Sequence, residues 1–161
     1  MKTIPLTQGK VAIVDDADYE RLNRHKWCAH KNVNTWYADR KERQGNKYIM
    51  VMMHREILNP PSGMQTDHKD GNGLNNQRHN LRIATCSQNQ HNGRKRKGTS
   101  RFKGVYWNRS HAMWHAHIRV KRKRFHLGYF LYETEAAKAH DQAAQRYFSE
   151  FANTNFLKET A

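Results

Sequence analysis

The stretch DHKDGNGLNNQRHNLRIATCSQN, Asp67 to Asn89, places a carboxylate beside an imidazole, then a glycine-bearing turn, then Asn80, and ends on Asn89 near the start of an expected helix. These side chains suit the cutting of a phosphodiester. Asp67 offers hard oxygen ligands for a divalent cation and Asn89 a carbonyl oxygen, a set that favours magnesium, with manganese as an alternative, over zinc. His68 is placed to take a proton from water. Asn80 is expected to hold that imidazole by a hydrogen bond, fixing its tautomer and ring angle. Asn and Asp also cap turns, but turn capping does not account for His68 together with Asn80 and Asn89.

Working outward, Met64 to His68 and Leu81 to Thr85 read as two strands joined by a tight connection at Lys69–Gly73, where Gly71 and Gly73 permit positive φ. Leu74 and Leu81 anchor the loop. Thr85 or Ser87 caps the helix carrying Asn89 and Gly93 ends it; His91 is close enough in sequence to be a spare ligand, but that reading is the less favoured one. Upstream, VAIV (11–14) reads as a strand, and Asp15, Asp16 and Asp18 open a helix to about Arg24 with Asp16 as N-cap. A metal cluster of these aspartates is disfavoured because no base or phosphate-binding group sits beside them. Trp27–His30, Thr35–Arg40 and Tyr48–Met53, with a turn at Gln44-Gly45-Asn46, suggest a small antiparallel sheet. Met50, Met52 and Met53 read as core filler. HREIL (54–58) is stopped by Pro60 and Pro61. Its His54 is open to two readings, a second catalytic histidine or, preferred, a packed or phosphate-contacting one, and Arg55 is expected to touch the DNA backbone.

Asp67-His68, Asn80 and Asn89, with GNGLNN and NLRIAT between them, resemble the HNH nuclease motif, the ββα-metal fold of phage and intron-encoded homing endonucleases and of bacterial nuclease toxins. IPLTQGKVAIVDDADYERL with the following KW, and the HRxIL string, resemble segments that precede this motif in small phage proteins. The resemblance implies a metal on Asp67 and Asn89 and a base at His68. The toxin branch has a His at the last position; Asn89 departs from that and is similar to the magnesium-using homing branch.

The chain has 161 residues, room for one ordinary domain or two small ones. Its formal charge of +15 and pI near 10.1 favour a polyanionic partner. The excess is uneven: residues 1–92 carry 14 basic and 9 acidic side chains, residues 93–161 carry 15 and 5, so the C-terminal part should dominate attachment. Cys28 and Cys86 have no CxxC spacing, which argues against a zinc finger or a disulfide scaffold and suggests buried or idle thiols. No apolar run long enough for a bilayer and no charged-then-apolar leader are seen. A cytoplasmic protein of a bacterial or phage-infected cell, without membrane association, is expected.

Residues 93–99, GRKRKGT, read as a flexible basic linker whose Arg94, Lys95, Arg96 and Lys97 lie along DNA, although a solvated linker has the same composition. Beyond it, Trp114, Ala116, Ile118 and Val120 alternate with His115, His117 and Arg119. Phe125, Leu127 and Tyr129 are expected inward, with Lys123, Arg124 and His126 outward. Two strands with one cationic face can enter the major groove. Thr134–Phe148 reads as a helix capped by Thr134, its alanines giving a smooth side. FKGVYW, WHAHIRV, HLGYF, EAAKAHDQAAQRYF and NTNF resemble the DNA-binding domain of plant ethylene-responsive, APETALA-type factors. That likeness implies DNA contacts at Lys103, Tyr106, Asn108, His117, Arg119, Arg124 and His126. Tyr106, Asn108, His117 and His126 replace Arg, Glu or Trp of that family, so its target site does not transfer.

The expected fold is α+β: a small N-terminal antiparallel sheet with a ββα-metal unit (1–92, the unit at about 64–92), a basic linker (93–99), a three-stranded antiparallel sheet on one helix (100–156) and a tail (157–161). The expected function is metal-dependent hydrolysis of double-stranded DNA at a recognised site, as in homing enzymes, nicking one strand per active site, by a monomer or weak dimer. His68 must be neutral to act, so activity should fall below about pH 6.5. The rival is a sequence-specific DNA-binding regulator with an inactive nuclease scaffold. A nonspecific toxin is disfavoured by the dedicated binding module, and RNA by a sheet suited to B-form DNA.

Overall fold

VAIV forms β2 (Val11–Val14), which pairs antiparallel with β1 (Lys2–Pro5), a strand the sequence reading missed. The computed structural model describes residues 1–33, 35–93 and 98–156, so Arg94, Lys95, Arg96, Lys97 and the tail at 157–161 lie outside the described residues. The chain divides into Met1–Asn89 and Gln90–Ala161.

In the first unit, α1 (Asp16–Leu22) follows β2. Then come β3 (Cys28–Lys31), β4 (Trp36–Gln44) and β5 (Lys47–Met52), an antiparallel sheet in sequence order. The short α2 (Met53–Leu58) leads to β6 (Gln65–His68), which pairs with β7 (Leu81–Ala84), and α3 (Cys86–Asn92) follows, its last residues from Gln90 belonging to the second unit. Ile4, Val14, Leu22, Trp27, Met53, Ile57 and Leu81 meet in one core. Met53 fills it as expected, whereas Met50 is exposed. Both cysteines also lie at the surface, not in the core.

The acidic start of α1 is a brace for the site. The N-cap is Asp15, not Asp16, and the Asp15 carboxylate is turned to the backbone N–H of Arg78 (2.7 Å). Asp18, buried, accepts from Arg78 Nε and Nη2 at 2.7 and 2.8 Å and from Arg21 at 2.9 Å. The loop before Asn80 is thereby tied to α1. Burial alone would raise the Asp18 pKa, but the bonds from Arg78 and Arg21 outweigh it and hold the carboxyl below its ordinary value. A lowered folded-state pKa means stability that is present above the unfolded value and is lost as pH falls through the folded one. The thermal midpoint of this unit should therefore drop below about pH 4, and Asp18→Asn should flatten that drop in circular dichroism melts.

In the second unit β8 (Val105–Asn108), β9 (Met113–Val120) and β10 (Lys123–Phe130) form an antiparallel sheet in the order β10-β9-β8, backed by α4 (Glu133–Phe148). Ala136 and Ala137 of α4 let it lie close on Val105 and Ala116. Thr134 is not the cap: the N-cap position is Tyr132, and Glu133 ties the first turn by accepting from Ser100 Oγ (2.7 Å) and Arg101 N–H (3.1 Å). Asn155 closes the unit, exchanging hydrogen bonds with the Lys103 backbone (2.6 and 3.0 Å) and donating to Asp141 (2.9 Å).

Two details of this sheet follow from backbone geometry. A register shift between His126 and Gly128 inserts an extra residue in β10, and a bulge of this kind reverses the alternation beyond it. Tyr129, expected inward, therefore pairs with His115 on the face away from α4, while Phe130 joins the core. Gly104 has φ +75°, and a Cβ there would come within 2.6 Å of the His140 ring nitrogen Nε2. Gly104→Ala combines left-handed strain with that clash and should destabilise the unit by about 3 kcal/mol or more, measured by urea unfolding.

Candidate active site and nucleic-acid face

His68 ends β6, and its ring is buried. Its Nε2 lies 3.3 Å from the Oδ1 of Asn76, itself 1% exposed. An amide oxygen only accepts, so Nε2 carries the proton and the lone pair of the neutral ring sits on Nδ1. Asn76 is held in turn by its backbone N–H, which donates to the Ile13 carbonyl (2.8 Å), while the Ile13 N–H donates to Leu74 (2.8 Å). β2 thus fixes the residue that holds the His68 ring.

Asn80 does not take that role. Its Nδ2 donates to Asp70 Oδ1 (3.0 Å) and the Asn75 carbonyl (2.8 Å), and its Oδ1 accepts from the Asp70 N–H (3.1 Å). It staples the loop between β6 and β7 instead of the imidazole. A side-chain amide can close a loop onto backbone groups as readily as it can hold a ring, and only the fold decides which is in reach. Gly71, at φ +70°, makes the turn as expected, but Gly73 is not in a positive-φ conformation. It is needed for closeness, since a Cβ there would meet the Tyr37 ring at 2.6 Å.

Asp67 faces Arg82 directly across the β6–β7 pair. Arg82 Nε and Nη2 donate to its Oδ2 at 2.8 and 2.7 Å, with both side chains largely buried. The sequence reading passed over Arg82, because only strand register reveals this partnership. Asn89 Nδ2 donates to Gln65 Oε1 (2.7 Å), which turns its amide so that Oδ1 is the atom left for a cation. Thr85 is the cap of this helix: its Oγ1 accepts from the Gln88 N–H (3.2 Å) and its N–H donates to Gln88 Oε1 (2.8 Å), a reciprocal capping box.

Among the described residues no group of three or more His, Cys, Asp or Glu is placed to hold a metal. The donor set is one carboxylate and one amide oxygen, which fits a hard cation that keeps most of its water and takes the rest of its shell from a phosphate. It does not fit a closed zinc site.

Burial lowers the pKa of His68, against the opposing influence of the Asn76 hydrogen bond and of Asp70 and Asp67. His54 on α2 is buried too, and its ring meets that of His68. Among the described residues, the buried side-chain polar atoms without a partner concentrate in two places. His54 Nδ1, Thr66 Oγ1, Asn75 Oδ1 and Asn76 Nδ2 belong to this site or its loop, and His115 Nδ1 and His117 Nδ1 to the second unit's sheet; Arg40 Nε is the exception. Such atoms cost stability and so mark places where function competes with it. Arg55 is exposed and donates to the Met64 carbonyl (3.2 Å), so its guanidinium is available at the surface.

On the face of the second unit away from α4, Tyr106, His115, His117, Arg119, Arg124, His126 and Tyr129 lie together. His115 Nε2 and His126 Nδ1 share one hydrogen bond of 2.5 Å. Burial, then Arg124 and the neighbouring imidazoles, push the His117 pKa down to about 4, so the fixed charges of this face are Arg119 and Arg124, both exposed. Asn108 lies at the edge with its Oδ1 engaged by the His111 N–H (3.0 Å). His115 lies on the face where the alternation placed it, though it was not named as a contact, and Tyr129, expected inward, is displayed by the bulge. Lys103 is a correction. Its Nζ donates to the carbonyls of His91 and Gly93, both at 2.7 Å, and burial lowers its pKa to about 8. A half-buried lysine whose ammonium is spent on backbone oxygens is not displayed on the sheet face as the expected contact. His91 stacks on Phe148 at 3.6 Å, which is a packing role and not that of a spare ligand.

No helix among the described residues is long and apolar enough to cross a membrane. Residues 59–91 match the HNH endonuclease family and residues 100–150 the AP2 domain family. The chain is 28% identical over 148 residues to an uncharacterized HNH endonuclease of Acanthamoeba polyphaga mimivirus, covering 92% of this chain and 76% of that protein. It is 37% identical over 65 residues to Protein 3.8 of Escherichia phage T7, covering 40% of this chain and 54% of that protein. The segment similar to the HNH endonuclease family is the one that carries His68, Asn80 and Asn89, and the segment similar to the AP2 domain family is the one whose sheet displays Arg119 and Arg124.

Proposed function

We propose that the chain is a metal-dependent endonuclease acting on double-stranded DNA at a recognised site, in the manner of homing enzymes. The observation that carries this is a buried imidazole held by Asn76 in the tautomer with a basic Nδ1, in a loop stapled by Asn80 beside Asp67. His68 would accept a proton from the attacking water at Nδ1, and the Asn76 bond would keep Nε2–H in place as positive charge develops on the ring. A divalent cation such as magnesium, or manganese, held by Asp67 and Asn89, would supply stabilisation of the charged phosphate and of the leaving 3′ oxygen. Arg82 fixes the carboxylate of Asp67 in orientation. Arg119 and Arg124 would hold phosphates, with Tyr106, His117 and His126 between them facing the groove. One such site per chain supports nicking of one strand by a monomer, or cutting of both by a weak dimer, in the cytoplasm of a bacterial or phage-infected cell.

The test is supercoiled plasmid carrying the DNA that flanks the gene, incubated with the protein and magnesium or with a chelator. Open circles with magnesium alone are expected. Plasmid that is shifted on a gel yet intact with magnesium or manganese would replace this reading by that of a DNA-binding regulator.

A further inference from the structure

His54 stands at the start of α2 with 7% of its surface exposed, and the proposed hydrolysis makes no use of it. Its ring meets His68 edge to face, with centroids 5.1 Å apart and planes at 82°. Tyr37 of β4 closes a triangle, 5.4 Å from His54 and 5.7 Å from His68. Tyr37 is itself backed by the Gly73 backbone, which leaves no room even for a Cβ. With Asn76 on Nε2, the imidazole of His68 is held by groups from β4, from α2 and from its own loop.

The base of this clamp is rigid. Met53 and Ile57 of α2 sit in the core, and Glu56 binds Arg21 (3.1 Å) and Arg40 (2.9 Å). Yet His54 is a poor residue for packing alone, because its Nδ1 is buried without a partner. Leucine would fill the place without that loss. An imidazole kept where stability prefers a hydrocarbon is a mark of function. Burial, with a smaller effect from His68, pushes its pKa down to about 3, so it brings no charge to the site at neutral pH.

We propose that His54 is a positioning residue that fixes the ring of His68 by edge-to-face packing, with Tyr37 closing on it as a tilted ring, so that its Nδ1 is aligned for the attacking water. This rests on the reading of His68 as the base. Edge-to-face contact sets ring orientation because the positive rim of one ring seeks the negative face of the other. A misplacement of a reacting group by about 1 Å is worth roughly 100-fold in rate.

The experiment uses full-length protein and single-turnover nicking of supercoiled plasmid with magnesium. His54→Leu, which keeps the volume and removes the ring, should melt no lower than wild type and lose roughly 10- to 100-fold in the nicking rate at saturation, with DNA affinity unchanged. His54→Phe, which restores a ring, should recover much of that loss. In a His68→Ala background His54→Leu should cost nothing more, since it acts through a ring no longer there. Should His54→Leu fail to fold, Tyr37→Leu removes another side of the triangle and carries the same expectations. A wild-type rate for the ring-free variant, a loss confined to affinity, no recovery with His54→Phe, or an undiminished loss in the His68→Ala background would each overturn the proposal. His68→Ala alone nicking at the wild-type rate is a separate result that removes the base itself.

Discussion

His68→Ala should reduce plasmid nicking by roughly 10²- to 10⁴-fold, the usual contribution of a general base, while leaving DNA binding intact on a gel. The size of the effect follows from the geometry. Nε2–H is committed to Asn76, so proton acceptance depends on one nitrogen, Nδ1. His54 is the nearest imidazole, but with its pKa near 3 and its Nδ1 buried it does not substitute. The pH profile carries a second expectation. Burial lowers the His68 pKa, and a base acts when neutral, so the acid limb of the nicking rate should fall at a pH below the ordinary histidine value of about 6.5, not at it as the sequence alone suggested. An acid limb above that value, measured at saturating DNA and constant salt, would contradict the burial seen here.

The second large effect is expected on attachment. Arg119→Ala combined with Arg124→Ala should flatten the plot of log affinity against log salt by about 1.8, the share of two phosphate contacts on B-form DNA. At 0.15 M salt that amounts to about 30-fold in affinity. Both side chains are exposed on the sheet face away from α4, so the fold should be untouched and the nicking rate at saturating DNA unchanged. The measurement is best made in the His68→Ala background, where the DNA stays whole. An unchanged slope would mean that the guanidinium groups of β9 and β10 do not reach phosphates. Lys103→Met is the matched control: its ammonium is bound by the His91 and Gly93 carbonyls, so the salt slope should not move.

Much of this protein was legible along the chain. The strand pair flanking the Asp67–Asn89 stretch, the helix bearing Asn89, and the three-stranded sheet with its alanine-lined helix follow from alternation, capping residues and small-residue spacing, because these are short-range properties. The charge asymmetry between the two halves was legible for the same reason, being a sum over residues that needs no contact. Composition and motif together pointed to the two families whose models match residues 59–91 and 100–150.

Contacts between residues distant in sequence, or decided by register, had to wait for the fold. Asn76 and Asn80 have the same side chain and stand four residues apart, yet one binds His68 and the other staples the loop, because the Ile13 backbone pins Asn76 and sets which amide faces the ring. Arg82 meets Asp67 through strand register, Tyr129 reaches the sheet face away from α4 through a bulge, and Lys103 turns to backbone oxygens. The assembly of Tyr37, His54 and His68 joins β4, α2 and β6, segments 14 to 31 residues apart in the chain. The sequence by itself determined the elements, the charge and the chemical kit, since those depend on neighbours along the chain; the tertiary structure decided which member of the kit touches which, since that depends on packing.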